Sequence, residues 1–121
     1  MNIEEFREYC LAKPGVTEET PFGDEVLVYK VMGKIFALAP IEEFKQINLK
    51  CDPDCAVDLR EKYEFVQPGY HMSKKHWNTI IIDGRIGNRQ LASWIDDSYN
   101  LVVHGLSKKI KSELNKMGDI R

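Results

Sequence analysis

The chain is 121 residues long and has no long apolar run. No window approaches the roughly 18 successive apolar residues of a membrane span, so no membrane-embedded segment is expected. The opening Met1-Asn2-Ile3-Glu4-Glu5-Phe6 lacks the cationic start and apolar stretch of a secretory leader, and a cytoplasmic location is the expectation. Cysteine is scarce. Cys10, Cys51 and Cys55 are an odd set that cannot pair fully within one chain, which points to reduced thiols. Excess charge is missing too: 17 Lys+Arg against 19 Asp+Glu leave a net charge of −2. That excludes a protein that coats nucleic acid by bulk positive charge. The usual marks of catalysis are also absent. No Gly-x-Ser-x-Gly elbow occurs, and Gly33-Lys34 lacks the upstream Gly and following Ser or Thr of a phosphate loop. The chain therefore reads as a non-enzyme with no cofactor, and a monomer is favoured.

What is present suits one folded domain spanning residues 1–121. The hydrophobic fraction of 43% and the charged fraction of 30% are ordinary for a globular domain. Asn2 and Glu5 have capping-box spacing, and Ile3, Phe6, Cys10 and Leu11 recur at helical intervals until Pro14-Gly15. Residues 16–23 read as a loop. Val26 to Met32 and Lys34 to Ala39 read as a hairpin around Gly33. A third strand is expected from Phe44 to Lys50. Asp52-Pro53 opens a helix through Tyr63, with Cys55, Ala56 and Leu59 facing inward. Trp77 to Asp83 reads as a strand, Asn88 as the cap of a long helix closed by Gly105, and Ser107 as the cap of a short basic helix. The order helix, strands, helix, strand, helix implies an α+β fold with helices on one side of a mostly antiparallel sheet.

The densest polar segment is Pro68-Gly69-Tyr70-His71-Met72-Ser73-Lys74-Lys75-His76-Trp77-Asn78. Lysines neutralise phosphates, Ser, Asn and Tyr hydrogen-bond to phosphates or base edges, and Tyr and Trp stack on exposed bases. The plainer alternative is a loop ahead of a strand, with Trp77 in the core and the lysines solvated. His71 and His76 lack a third ligand at a recognised spacing, so no metal site is assigned to them. Cys51 and Cys55 flank a helix start. Cys55 reads as a small apolar core residue, and activation of the Cys51 thiol by the helix N-terminus stays open. Adjacent carboxylates such as Glu18-Glu19 and Asp96-Asp97 read as solvated faces. Charge is unevenly spread: residues 1–59 carry 6 Lys+Arg against 12 Asp+Glu, or −6, and residues 60–121 carry 11 against 7, or +4. The low net charge is compatible with one localised basic face.

Several stretches resemble the MmcQ/YjbR family of small bacterial proteins. They include Pro14-Gly15-Val16-Thr17-Glu18-Glu19, Pro21-Phe22-Gly23, Asn48-Leu49-Lys50-Cys51-Asp52-Pro53 and, most specifically, Pro68-Gly69-Tyr70-His71-Met72 with Lys74-Lys75-His76-Trp77-Asn78-Thr79. The resemblance implies a fold similar to bacterial frataxin and DNA binding through a double-wing arrangement of strand-loop elements. It places the DNA-binding face at Tyr70, His71, Lys74, Lys75, His76, Trp77 and Asn78. Arg85 would extend the basic strip, and Lys34 would belong to a second wing. Ser73 stands where the family pattern has Asn, and its shorter side chain has less reach. Two other readings remain. The frataxin-like resemblance and the acidic first helix suggest metal handling through Glu4, Glu5 and Glu8. His71, His76 and Tyr70 suggest a small-molecule pocket.

Overall fold

A computed structural model gives the structure of residues 1–69 and 72–119. Helix α1 (Ile3–Leu11) starts at the expected reciprocal cap. The Glu5 amide donates to Asn2 Oδ1 at 2.8 Å, and the Asn2 amide donates to Glu5 Oε1 at 3.1 Å. Two donors that the first turn leaves unpaired are thereby satisfied. The following segment departs from expectation. It is not a loop throughout, because Val16–Glu19 forms strand β1 against β2 (Val26–Val31). Strand alternation then separates Glu18 from Glu19. Glu18 accepts from Tyr29 Oη at 2.7 Å and from Arg7 Nε at 2.8 Å, and the hydrogen bond from Arg7 holds its carboxyl below the usual range. Glu18 is therefore not the solvated group its sequence context suggests. Asp96 likewise accepts from Tyr9 and Lys13.

The hairpin joining β2 to β3 (Lys34–Pro40) closes through Met32-Gly33, with φ values of 50° and 85°. Two central residues with positive φ match the twist of the flanking strands. Tyr29 faces Ala37, but Lys30 faces Ile35, which leaves Phe36 as the extra residue of a bulge. Its ring meets Tyr99 edge-on at 5.4 Å. Strand β4 (Gln46–Lys50) starts two residues later than expected, and Phe44 instead packs against Phe6. Helix α2 (Pro53–Lys62) starts at Asp52 as read, but Cys55 is exposed and only Ala56 of its inward trio is fully buried. Strand β5 (Val66–Pro68) was not foreseen. It pairs with β6 (Trp77–Ile81). Helix α3 (Asn88–His104) is capped by Gly87, which has no side chain to bond the first turn, and the expected cap Asn88 is its first helical residue, its Oδ1 accepting from the Met1 amino group. Helix α4 (Lys108–Asp119) begins at Ser107, whose Oγ accepts from the Ile110 amide at 3.2 Å.

The sheet order is β1-β2-β3-β4-β6-β5, and each neighbouring pair is antiparallel. This is the expected α+β fold. Phe6 of α1 meets Tyr29 at 5.3 Å, Ser98 of α3 donates to the Phe36 carbonyl, and Asn78 of β6 donates to the Ala56 carbonyl of α2. These contacts put the helices on one face, over a core that includes Tyr29, Ala37, Leu49, Ile80, Leu91 and Ile95. The opposite face carries the cross-strand row Val28, Leu38, Asn48 and Thr79, which is also buried. Loops from the two ends of the sheet contribute to covering it: Phe22 and Met72 line a cavity there with Leu38 and Asn48.

Candidate nucleic-acid interface

Antiparallel pairing decides which loops share an end of the sheet. β3 starts, β4 finishes and β6 starts at one end, where Lys50 lies opposite Trp77. The Lys34 hairpin, the end of β4 and the β5–β6 connection are therefore neighbours. Adjacent strands are about 4.8 Å apart, so β3 and β6 are separated by about 10 Å with Lys50 between them. Lys34 and Lys50 also line a cavity of about 450 Å³ with Ser107 and Ile110, which brings the lysine-rich start of α4 to the same place. Lys34, Lys75, Lys108 and Lys109 are exposed, Lys50 is half-buried, and none of these five forms an ion pair among the described residues. Asp52, Asp54 and Asp97 lie on the α2–α3 side of this end and limit the cationic area.

Residues 72–76, which carry Lys74 and Lys75, are held by backbone hydrogen bonds. Trp77 N donates to Ser73 O at 3.0 Å, His76 N to Ser73 O at 3.2 Å, and Met72 N to Gly69 O at 3.1 Å. The His76 carbonyl accepts from Cys51 N at 2.7 Å, tying the loop to the end of β4. Arg60 braces it from α2: Nε donates to Asn78 Oδ1 at 2.6 Å, and Nη2 donates to the Lys74 carbonyl. Lys74 and Lys75 are thus exposed side chains on a braced turn, and His76 is half-buried beside them.

Five predicted site residues need comment. Trp77 is 8% exposed and lies beneath Gly69, so it has no free face for a base. Asn78 is wholly buried and uses its amide on Arg60 and Ala56, which removes it from any base edge. Arg85 follows the far end of β6, opposite the lysine end. Asp83 engages it through several hydrogen bonds, which hold the Asp83 carboxyl low, and Glu64 stands 3.9 Å away. It therefore does not extend the strip. Tyr70 and His71 lie outside the described residues. Lys50 and Arg60 were not singled out from sequence, because both depend on the pairing of β4 and α2 with β6, which no local signal announces.

The other candidates fare differently. Cys51 borders a cavity of about 200 Å³ with Leu59, Trp94 and Asp97. Burial pushes its thiol up to about 11, the reverse of activation by a helix N-terminus. Among the described residues no three His, Cys, Asp or Glu side chains converge as metal ligands. Glu4, Glu5 and Glu8 are exposed on α1, and Glu5 is engaged in the cap. No helix among the described residues is long and apolar enough to cross a membrane.

The chain is similar to several known proteins. The chain is 40% identical over 107 residues to uncharacterized protein YbdF of Escherichia coli O157:H7, covering 88% of each. It is 32% identical over 110 residues to uncharacterized protein YjbR of Escherichia coli K12, covering 90% of this chain and 93% of that one. The crystal structure of Deinococcus radiodurans protein DR2400 superposes with a TM-score of 0.87 at 35% identity, over 94% of this chain and 88% of that one. A Pseudomonas syringae protein follows at a TM-score of 0.69 and 29% identity, over 84% of this chain and 98% of that one. The YjbR family model matches residues 11–101, from the end of α1 well into α3, so it takes in the whole sheet and the braced lysine turn, and the chain belongs to the YjbR family.

Proposed function

We propose that this chain is a cytoplasmic, non-catalytic DNA-binding module that works as a monomer and grips the phosphate backbone with the lysine end of its sheet. One observation carries the reading. Cations elsewhere, such as Arg7, Lys13, Lys30, Lys45 and Arg85, face carboxylates, whereas Lys34, Lys50 and Lys75 gather at one end without an ion pair among the described residues. Unneutralised lysines on rigid supports suit a polyanion, because each phosphate contacted releases a counterion. The Lys34 hairpin and the Lys74-Lys75 turn project from the same end about 10 Å apart, as two wings would. The absence of converging ligands among the described residues gives the metal-handling alternative no comparable support.

Fluorescence anisotropy against salt tests this. Binding should weaken linearly in log–log coordinates, with a slope of about −0.9 per phosphate neutralised. Replacing both Lys74 and Lys75 by Ala should make the slope shallower by about 1.8 and lower affinity at every salt concentration. An unchanged slope removes this turn from the interface, and no binding at low salt removes DNA as the partner.

A further inference from the structure

We propose that the helix-free face of the sheet receives an unpaired nucleobase, so that DNA held by the lysine end is engaged as a single strand or with a base turned out of the duplex. This rests on the DNA-binding reading above. The site is a groove of about 340 Å³ between two loops: Phe22 comes from the β1–β2 loop and Met72 from the β5–β6 loop, with Val26, Leu38, Gln46 and Asn48 beneath. That volume lies in the range of small-ligand pockets, roughly 300–1,000 Å³.

Among the described residues the lining carries no charged side chain, so an ion is a poor occupant. Phe22 is 67% exposed, a large ring left in water beside the groove. Aromatic rings and the thioether of Met both pack well against flat π systems. Asn48 supplies the polar contact. It is only 9% exposed, and its Oδ1 accepts from Thr79 Oγ1 at 2.5 Å. Its Nδ2 has no partner among the described residues, yet no fully buried side-chain nitrogen or oxygen there is unpaired. The amide donor therefore reaches open space, and the groove that Asn48 lines is that space. A donor at the floor of an apolar slot selects an uncharged flat ring with an acceptor on its edge, which every nucleobase presents.

Charge sets the direction of the strand. Asp24 and Glu25 follow Phe22 in sequence, and Lys74 and Lys75 follow Met72. Phosphates flanking an inserted base are repelled from the Phe22 side and attracted to the Met72 side. The turn that carries the phosphate-binding lysines thus also supplies one wall of the base slot.

Two measurements on the full chain test this. Adenosine is titrated into the ¹⁵N-labelled protein and followed by NMR. The Asn48 side-chain amide and the Leu38 and Met72 amides should shift saturably, and Phe22→Ala, at an exposed ring, should weaken binding at least about fivefold. In anisotropy, a single-stranded oligonucleotide should bind more tightly than its duplex, with Phe22→Ala removing most of the difference. Equal affinity for both forms, no effect of Phe22→Ala and no adenosine shifts overturn the base site. The DNA-binding reading still stands in that case if the Lys74, Lys75 double variant weakens binding. Adenosine shifts without binding of either DNA form do the reverse: they keep the base site and discard the strand.

Discussion

Asn78 shows why one residue type fits one place. Its side chain both accepts, from Arg60 Nε at 2.6 Å, and donates, to the Ala56 carbonyl at 3.2 Å, inside a wholly buried pocket. Only a carboxamide supplies both roles at that length. Asn78→Leu keeps the volume but strands the polar partners, so it should cost about 1–3 kcal/mol. Urea denaturation should show a lower midpoint at unchanged slope. A midpoint equal to the parent's would mean that Arg60 braces the turn without Asn78. From sequence, Asn78 sits among Lys, His and Trp and reads as a surface contact. The error is physical: alternation along β6 turns Asn78 towards α2, and that orientation depends on a partner 29 residues earlier, Leu49 lying opposite Asn78. Lys74 and Lys75, by contrast, are exposed, as lysines ordinarily are.

At the level of elements, local chemistry was legible where it is self-contained. The Asn2–Glu5 box, Asp52-Pro53, Ser107 and Gly105 all end or start helices through atoms within a few residues. Strands β1 and β5, of four and three residues, were not legible, because such short segments become strands only when a neighbour offers an unpaired edge. The β5–β6 connection depends on a close approach at its base. Gly69 N donates to Trp77 O at 3.0 Å, and a Cβ at Gly69 would stand 2.9 Å from Trp77 Cβ and 3.1 Å from Trp77 O. The obstruction includes backbone, which cannot rotate away. Gly69→Ala should therefore destabilise the chain by about 1–3 kcal/mol. It should also red-shift Trp fluorescence as Trp77 loses its cover. Unaltered fluorescence with full stability would show that the loop adapts without moving Trp77.

Across the whole molecule, the fold re-sorts charge. The sequence divides into an acidic half and a basic half, but the sheet divides it by ends. Lys34 and Lys50 come from the acidic half and join Lys74 and Lys75, whereas Arg85 comes from the basic half and is carried along β6 to the far end. There it is neutralised by Asp83 and stacks over Phe65, its guanidinium carbon 5.5 Å from the ring centre. Sequence neighbours of the lysine turn are thus a poor guide to its spatial neighbours. The two ends make opposite predictions for DNA affinity. Arg85→Ala should leave both affinity and salt slope as in the parent, because the residue removed is distant and already paired. Replacing Lys34 and Lys50 together by Ala should make the slope shallower by about 1.8, as loss of the Lys74-Lys75 pair does. Circular dichroism establishes that each variant is folded before anisotropy is read. If Arg85→Ala weakens binding as much as the Lys34, Lys50 pair, the DNA runs along the sheet rather than across its lysine end. The two wings would then have to be sought on the strand edges.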